Sequence, residues 1–388
     1  MRNSTHSLLS GFLFLKELVY NIDMKNTLII GDNKEALECE RYLNSSYKVI
    51  YLDPPYNTRS LKSYNDTEGS DVWSSLIEER LKLCKNYLKN DGVIFISIDD
   101  SEIGTIRVLC DKIFGYHNFL GTFITRQATR SNGKHINTIH EYVVCYAKNK
   151  SKVKPWAVKR VDTEDGEWMR KLEKDVRNIW LDDIDAAEKY LKNYIKNSGL
   201  SWLKNYNLID DEGRIFFASD LSTPSNPRIV DIPEIGLHLE PLSKRGWTSD
   251  KRFIELYNKG LLHYRDGRPY EKKFLMESED NCPSILNFYS RQGTKDLKDL
   301  GLDGLFDTPK SVDLLKHLFQ FVLEENDNVL DIYGGSGSTA QACKELNKNI
   351  SWTIIQRDEN VDVKSPIYKN CIKIGVEPNI PSILKKRL

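Results

Sequence analysis

The chain has 388 residues, 40% hydrophobic and 29% charged, which is enough to bury a large core and excludes a wholly disordered polypeptide. Its 56 Lys and Arg equal its 56 Asp and Glu, so net charge marks no polyanionic partner and only local distribution can do so. Seven scattered cysteines (Cys39, Cys84, Cys110, Cys145, Cys282, Cys343 and Cys371) with no CxxC pair argue against a cysteine-rich zinc centre and read as a reducing, cytoplasmic compartment.

At the N-terminus, "LLSGFLFL" (8–15) lacks the positive flank and small-residue cleavage site of a secretory signal. It reads instead as a buried helix, or as a leader upstream of a start at Met24. No other stretch is long and apolar enough for a membrane span. "NTLIIGDNKEAL" (26–37) predicts a strand, a turn at Asp32 and a helix. "YKVIYLDPPYN" (47–57) predicts a second strand, stopped by two prolines that cannot continue a ladder. Ile77, Leu81, Cys84 and Leu88 recur at helical spacing, predicting a helix over 74–90 closed by "KNDG". "GVIFISIDD" (92–100) is continuously apolar and reads as a central strand of a parallel sheet covered on both faces; a helix over about 101–113 follows.

Residues 121–160 then carry nine Lys or Arg against one acid, Glu141. Within them "RQATRSNGKH" reads as a loop and the best candidate for phosphate contact, including Arg126, Arg130 and Lys134. From there to about 295 the spacing is irregular and punctuated by Gly, Pro and Trp, as in an inserted domain. Helix and strand alternation returns with "SVDLLKHLFQFVL" (311–323), "DNVLDIY" (327–333), the Gly-rich "GGSGSTAQACKEL" and "ISWTIIQRDE" (350–359). The last thirty residues, basic and broken by proline, read as one short strand and a tail.

Two stretches carry chemistry. In "DIYGGSGSTA", Gly334, Gly335 and Gly337 sit between a strand and a helix, where glycine allows close approach of backbone to ligand. No lysine follows at phosphate-loop spacing, so a nucleoside-like cofactor is expected, with Asp358 and Glu359 at the end of the next strand able to accept from ribose hydroxyls. In "DPPY", the Asp53 carboxylate and the Pro54 carbonyl can accept the two hydrogens of an exocyclic base amine. Pro54 and Pro55 fix the carbonyl direction, and Tyr56 offers a stacking face for a flipped base. Read alone, the glycine stretch has the lesser alternative of a turn serving only strand-to-helix packing, and "DPPY" that of a strand-ending acid before a rigid turn.

Taken in order, "GDN", "DPPYNT", "DGVIFISIDD", "FDTPKSVDLL" and "DIYGGSGSTA" resemble the adenine-N6 DNA methyltransferases whose catalytic motif precedes the cofactor motif, most of all the modification subunits of type III restriction-modification systems. The resemblance covers about 26–145 and 240–360. It implies an α/β, Rossmann-like, seven-stranded methyltransferase fold with permuted motif order and an inserted target recognition domain. The implied organisation is an N-terminal extension (1–25), a catalytic part (26–145), a target recognition domain (146–240), a cofactor-binding part (241–360) and a tail (361–388). It further implies S-adenosylmethionine as cofactor, held by Asp32, Asp331, Tyr333, Gly335, Gly337, Thr339, Asp358 and Glu359, and catalysis by Asp53, Pro54, Pro55 and Tyr56. Asp32 is equally a turn cap. Arg59 and Lys62, just after the catalytic turn, and Arg245 of an Arg-Gly-Trp segment join the expected DNA contacts; Trp247 beside it reads equally as core. Double-stranded DNA is the expected partner, with a second copy and a restriction subunit implied by the same resemblance. No metal is expected.

Three departures stand out: Tyr333 replaces the family's Phe, Ser338 a Thr, and Ser311 a Pro. The altered turn keeps open a DNA-binding specificity subunit with impaired catalysis. An N4-cytosine or RNA methyltransferase is the nearer alternative in chemistry, with Asp rather than Ser at position 53 leaning toward adenine. A nicotinamide oxidoreductase leaves "DPPY" without a role.

Overall fold

The computed structural model describes residues 18–23, 25–39, 43, 46–57, 70–126, 135–162, 165–289 and 291–388. It comprises two compact units, one formed by residues 1–156 and 283–388 and the other by Ala157–Cys282. No described helix is long and apolar enough to cross a membrane.

In the first unit the described residues form a nine-stranded sheet. Its strands are β1 (Leu18–Asn21), β2 (Thr27–Ile30), β3 (Tyr47–Leu52), β4 (Leu88–Ile98), β5 (Phe119–Arg126), β6 (His140–Ala147), β7 (Ile285–Leu286), β8 (Asn328–Asp331) and β9 (Ser351–Gln356). Their spatial order is β1-β2-β9-β8-β3-β4-β6-β5-β7. The run from β2 to β4 is parallel throughout, and β6 and β5 add as an antiparallel pair. These seven strands are the expected methyltransferase sheet, and the two short strands β1 and β7 extend its edges. The continuous apolar character of "YKVIYL" and "VIFISI" follows from burial on both faces: Val49, Ile50, Leu52 and Val93 through Ile96 are fully buried.

Permutation is visible in the pairing of β8 with β3. Val329, Leu330 and Asp331 lie opposite Val49, Ile50 and Tyr51, so strands nearly 280 residues apart in sequence are neighbours at the centre of the sheet. Their carboxyl ends open on the same side, where open α/β sheets place ligands.

Helices α1 (Asn33–Glu38), α2 (Ser70–Tyr87), α3 (Ile103–Phe114), α4 (Arg291–Asp299), α5 (Val312–Gln320), α6 (Ser338–Glu345), α7 (Pro366–Lys373) and α8 (Ile380–Arg387) complete the unit. Two expectations are corrected. "KNDG" does not close α2: the helix stops at Tyr87 and Lys89–Gly92 already belong to β4, pinned by ion pairs from Lys89 to Asp327 at 2.8 Å and from Asp91 to Lys48 at 2.5 Å. The last thirty residues are two helices rather than a strand and a tail. Pro366 and Pro381 sit in first turns, where no backbone N–H is needed, and Ser365 and Asn379 cap them.

The second unit begins and ends later than the expected boundaries at 146 and 240. Lys148 and Trp156 belong to the first unit: the Lys148 N–H donates to Gly92 at 3.0 Å, and the Trp156 ring stacks on Phe95, Phe123 and Phe321. Residue 240 falls inside the second unit, because strand Ile215–Asp220 pairs with Arg268–Phe274. Two helices, Gly166–Asp182 and Ile184–Ser198, pack Met169, Leu172, Val176 and Leu191 with Leu203 and Ile215. A second cluster surrounds Trp247, which is a core residue whose indole N–H donates to the Glu240 carbonyl at 2.9 Å.

Candidate active site

A cavity of about 390 Å³ opens at the carboxyl ends of β3 and β8, lined entirely by the first unit. Asp53, Pro54, Pro55 and Tyr56 form one wall, while Asp331, Tyr333, Gly335 and Thr339 form another. Asp32 and Glu359 also line it. Two stretches far apart in sequence therefore share one space.

The wall of Asp53 to Tyr56 is built by the exit from β3. The Trp73 indole on α2 donates to the Pro55 carbonyl at 2.7 Å, fixing the turn, and Asn57 leaves it with a φ of 57°, a region Asn tolerates better than most residues. Among the described residues no donor reaches the Pro54 carbonyl, which keeps its capacity to accept. The Tyr56 hydroxyl donates to Asp53 Oδ1 at 3.0 Å and lies 3.3 Å from Glu141 Oε2.

A lysine completes this wall. Lys310 Nζ donates to Glu141 Oε2 at 2.8 Å and to the Tyr56 hydroxyl, and lies 3.3 Å from Asp53 Oδ1. Burial alone would push the ammonium's pKa down, but the carboxylates of Asp53 and Glu141 outweigh it and hold it above the ordinary lysine range. Burial raises the Asp53 carboxyl, with Lys310 pulling against it and Glu141 adding to it. Burial, then Asp53, pushes Tyr56 well above the usual phenol range, so it remains a neutral donor.

The second wall is the turn after β8. Asp331 organises it: Oδ1 accepts from the Tyr333 N–H at 2.9 Å and Oδ2 from the Thr339 hydroxyl at 2.5 Å. Burial raises the Asp331 carboxyl to about 7 against these bonds. Gly334 is required by space, since a Cβ there would stand 2.4 Å from Ile354 Cγ2, and Gly337 enters α6 at φ 83°. Arg387 of α8 braces the turn from behind, donating to the Ser336 hydroxyl at 2.9 Å and the Ser338 hydroxyl at 3.0 Å. Ser338, one of the three departures noted in the sequence, in turn donates to the Lys310 carbonyl at 2.8 Å.

The remaining expected residues divide. Asp32 caps α1, accepting from the Lys34 N–H at 2.8 Å, and also lines the cavity. Gly337 and Asp358 do not line it, and Asp358 is exposed. Gly337 faces Leu384 and Arg387 instead, and β9 ends at Gln356, whose Oε1 accepts from the Gly335 N–H at 2.7 Å. Of the two acids after it, Glu359 faces the cavity. Arg126 is exposed at the end of β5, and Arg245 is exposed in the second unit, donating to the Ser222 carbonyl at 3.1 Å. Arg59, Lys62, Arg130 and Lys134 lie outside the described residues.

Sequence reasoning missed Lys310, Glu141, Gln356 and Trp73. Glu141 carried a signal, as the lone acid in a basic stretch. Lys310 lay in the "TPK" segment that supported the resemblance.

A family model described as DNA methylase matches residues 47–380. The chain is 29% identical to the Mod subunit of the type III restriction-modification enzyme EcoPI of Escherichia phage P1, an alignment covering 95% of this chain and 62% of that protein. It is 27% identical to the EcoP15I Mod subunit of Escherichia coli, over 90% of this chain and 61% of that one. It thus spans about three-fifths of the length of these two relatives. The type II methyltransferase M.KpnI of Klebsiella pneumoniae is 26% identical, with 88% and 82% covered. Among solved structures, the cytosine-N4-specific PvuII DNA methyltransferase aligns with a TM-score of 0.45 at 11% identity, covering 93% of each chain.

Proposed function

Since the chain belongs to the DNA methylase family, we propose that it methylates N6 of a flipped adenine in double-stranded DNA, as the modification enzyme of a restriction-modification system or a derivative of one. The carrying observation is that Asp53 and Gly335 line one cavity, joined by the β3–β8 pairing.

The cavity's residues fit S-adenosylmethionine. Gly335 leaves room beside Phe306, where a Cβ would come within 3.4 Å of the ring, and the carboxylates of Asp32 and Glu359 supply acceptors suited to a nucleoside. Tyr333, Gly335 and Glu359 are the residues that would hold it. When bound, it supplies a methyl group on a sulfonium, already a good leaving group.

This chain's own residues orient the acceptor. Asp53 and the Pro54 carbonyl take the two amine hydrogens, holding the nitrogen lone pair toward the methyl donor's side of the cavity. The Tyr56 ring stacks the base, and its hydroxyl bond to Asp53 fixes the carboxylate in rotation. The proton leaves once nitrogen is alkylated, so no strong base is required beforehand. The Ala157–Cys282 unit is proposed to read the DNA sequence, with a restriction subunit and a second copy as partners.

Tritium-methyl transfer to duplex DNA, followed by digestion and identification of the modified nucleoside, tests this reading. N6-methyladenine is expected; N4-methylcytosine as the sole product overturns the choice of base, and unlabelled DNA with bound cofactor overturns the enzyme.

A further inference from the structure

Lys310 has no part in holding the amine, yet it stands 3.3 Å from the carboxylate oxygen assigned to that task. Its position is built from several sides. Ser338 holds its carbonyl, and the next residue, Ser311, caps α5 by accepting from the Leu314 N–H at 3.3 Å. Glu141 anchors the ammonium at 2.8 Å, the shorter of its two carboxylate contacts. An ammonium has three donors and no acceptor, so releasing the longer contact frees one donor while the anchor stays.

Asp53 Oδ1 and Lys310 Nζ then form an acceptor beside a donor, the pattern a pairing base presents to an amino base. When adenine leaves the duplex, its ring nitrogen N1 loses the hydrogen bond that pairing supplied, and an unsatisfied acceptor in a buried pocket is costly. N7 lies on the edge that faces the major groove and loses no pairing bond. We propose that Lys310 donates to the ring nitrogen next to the target amine on its pairing edge, so that Asp53 and Lys310 together read that edge. The contact withdraws electron density from the amine rather than adding it, so its role is recognition and orientation. This rests on the methyltransferase reading above and names the contact that secures its substrate.

The test uses the full chain and duplexes carrying its mapped site, with the target adenine replaced by 1-deazaadenine or by 7-deazaadenine. Single-turnover transfer is measured for the wild type, Lys310→Met and Lys310→Arg. The wild type is expected to lose about ten- to a hundredfold in single-turnover rate at subsaturating DNA on 1-deazaadenine and little on 7-deazaadenine. Lys310→Met loses a similar factor on adenine and then treats adenine and 1-deazaadenine alike, while Lys310→Arg keeps part of the preference. Equal wild-type rates on adenine and 1-deazaadenine, a loss confined to 7-deazaadenine, or undiminished discrimination in Lys310→Met each overturn the proposal. If Lys310→Met does not fold, the two wild-type comparisons decide. No transfer to unmodified duplex overturns the methyltransferase reading and this proposal with it, whereas transfer without N1 dependence overturns only the proposal. Should the product be N4-methylcytosine, 3-deazacytosine takes the place of 1-deazaadenine with the same expected loss.

Discussion

Asp331 lies directly opposite Tyr51 in the parallel ladder between β8 and β3. Two residues past Tyr51 the chain reaches Asp53, and two past Asp331 it reaches Tyr333. This single register brings the Asp53–Tyr56 turn and the glycine-rich turn to one rim of the sheet. A slip of one residue would turn alternate side chains to the opposite face and dismantle both walls.

Asp53→Ala is expected to lower methyl transfer by about a hundred- to a thousandfold, the range seen when one preorganised polar group is lost from an active site. Cofactor affinity should change little, because Asp53 belongs to the other wall. Transfer assays beside calorimetric titration with S-adenosylmethionine check both halves. Retained activity would remove Asp53 from its assigned role.

Gly334→Ala places a methyl group 2.4 Å from Ile354 Cγ2 and 2.9 Å from Leu384 Cδ1. Overpacking of this kind costs about 1–3 kcal/mol. Thermal unfolding should show the loss, accompanied by weaker cofactor binding, and an unchanged melting temperature would contradict the tight fit.

Arg387→Met removes the cation bracing Ser336 and Ser338 while keeping much of the packing volume. Because Arg387 does not line the cavity, its effect should pass through the turn. A rise of about tenfold in the cofactor Kd is expected, the order of one charge-assisted bond, with DNA affinity nearly unchanged. Equal losses for DNA and cofactor would point to general destabilisation instead.

Asp331 gives a pH signature. Burial holds its carboxyl near 7 in the fold, against the ordinary carboxylate range in the unfolded chain. Between about pH 4 and 7 the folded state therefore binds the extra proton, and the stability contributed by this group is lost as pH rises through the folded pKa. Asp331→Asn does not titrate. Its melting temperature relative to wild type should move in the variant's favour from pH 4 to 7 and level off above. A difference independent of pH would show that the wild-type carboxyl is not raised.

The proline and glycine-rich turns were legible because each is a contiguous string whose residues act together, "DPPY" through fixed backbone and "YGGSG" through missing side chains. Lys310 and Glu141 were not, since each enters the site as one side chain from a segment read for another reason, the "FDTPKSVDLL" string and the basic stretch 121–160. The two acids after β9 show a different limit: composition put Asp358 and Glu359 on equal terms, and only the end of the strand at Gln356 decides which faces the cavity. Proline misled at the C-terminus, where "SPIYKN" and "NIPSIL" read as breaks although their prolines start helices behind good caps.

The pairing of β8 between β3 and β9 also sets an order of assembly. On a ribosome, β3 and β4 are complete long before Asn328–Asp331 are made, so one hydrogen-bonding edge of β3 waits for a partner nearly 280 residues away. Such long-range closure is slow, and a bare apolar strand edge recruits other chains. Truncation before Asn328 would thus leave a nascent chain with an adhesive seam through its centre rather than a smaller folded unit.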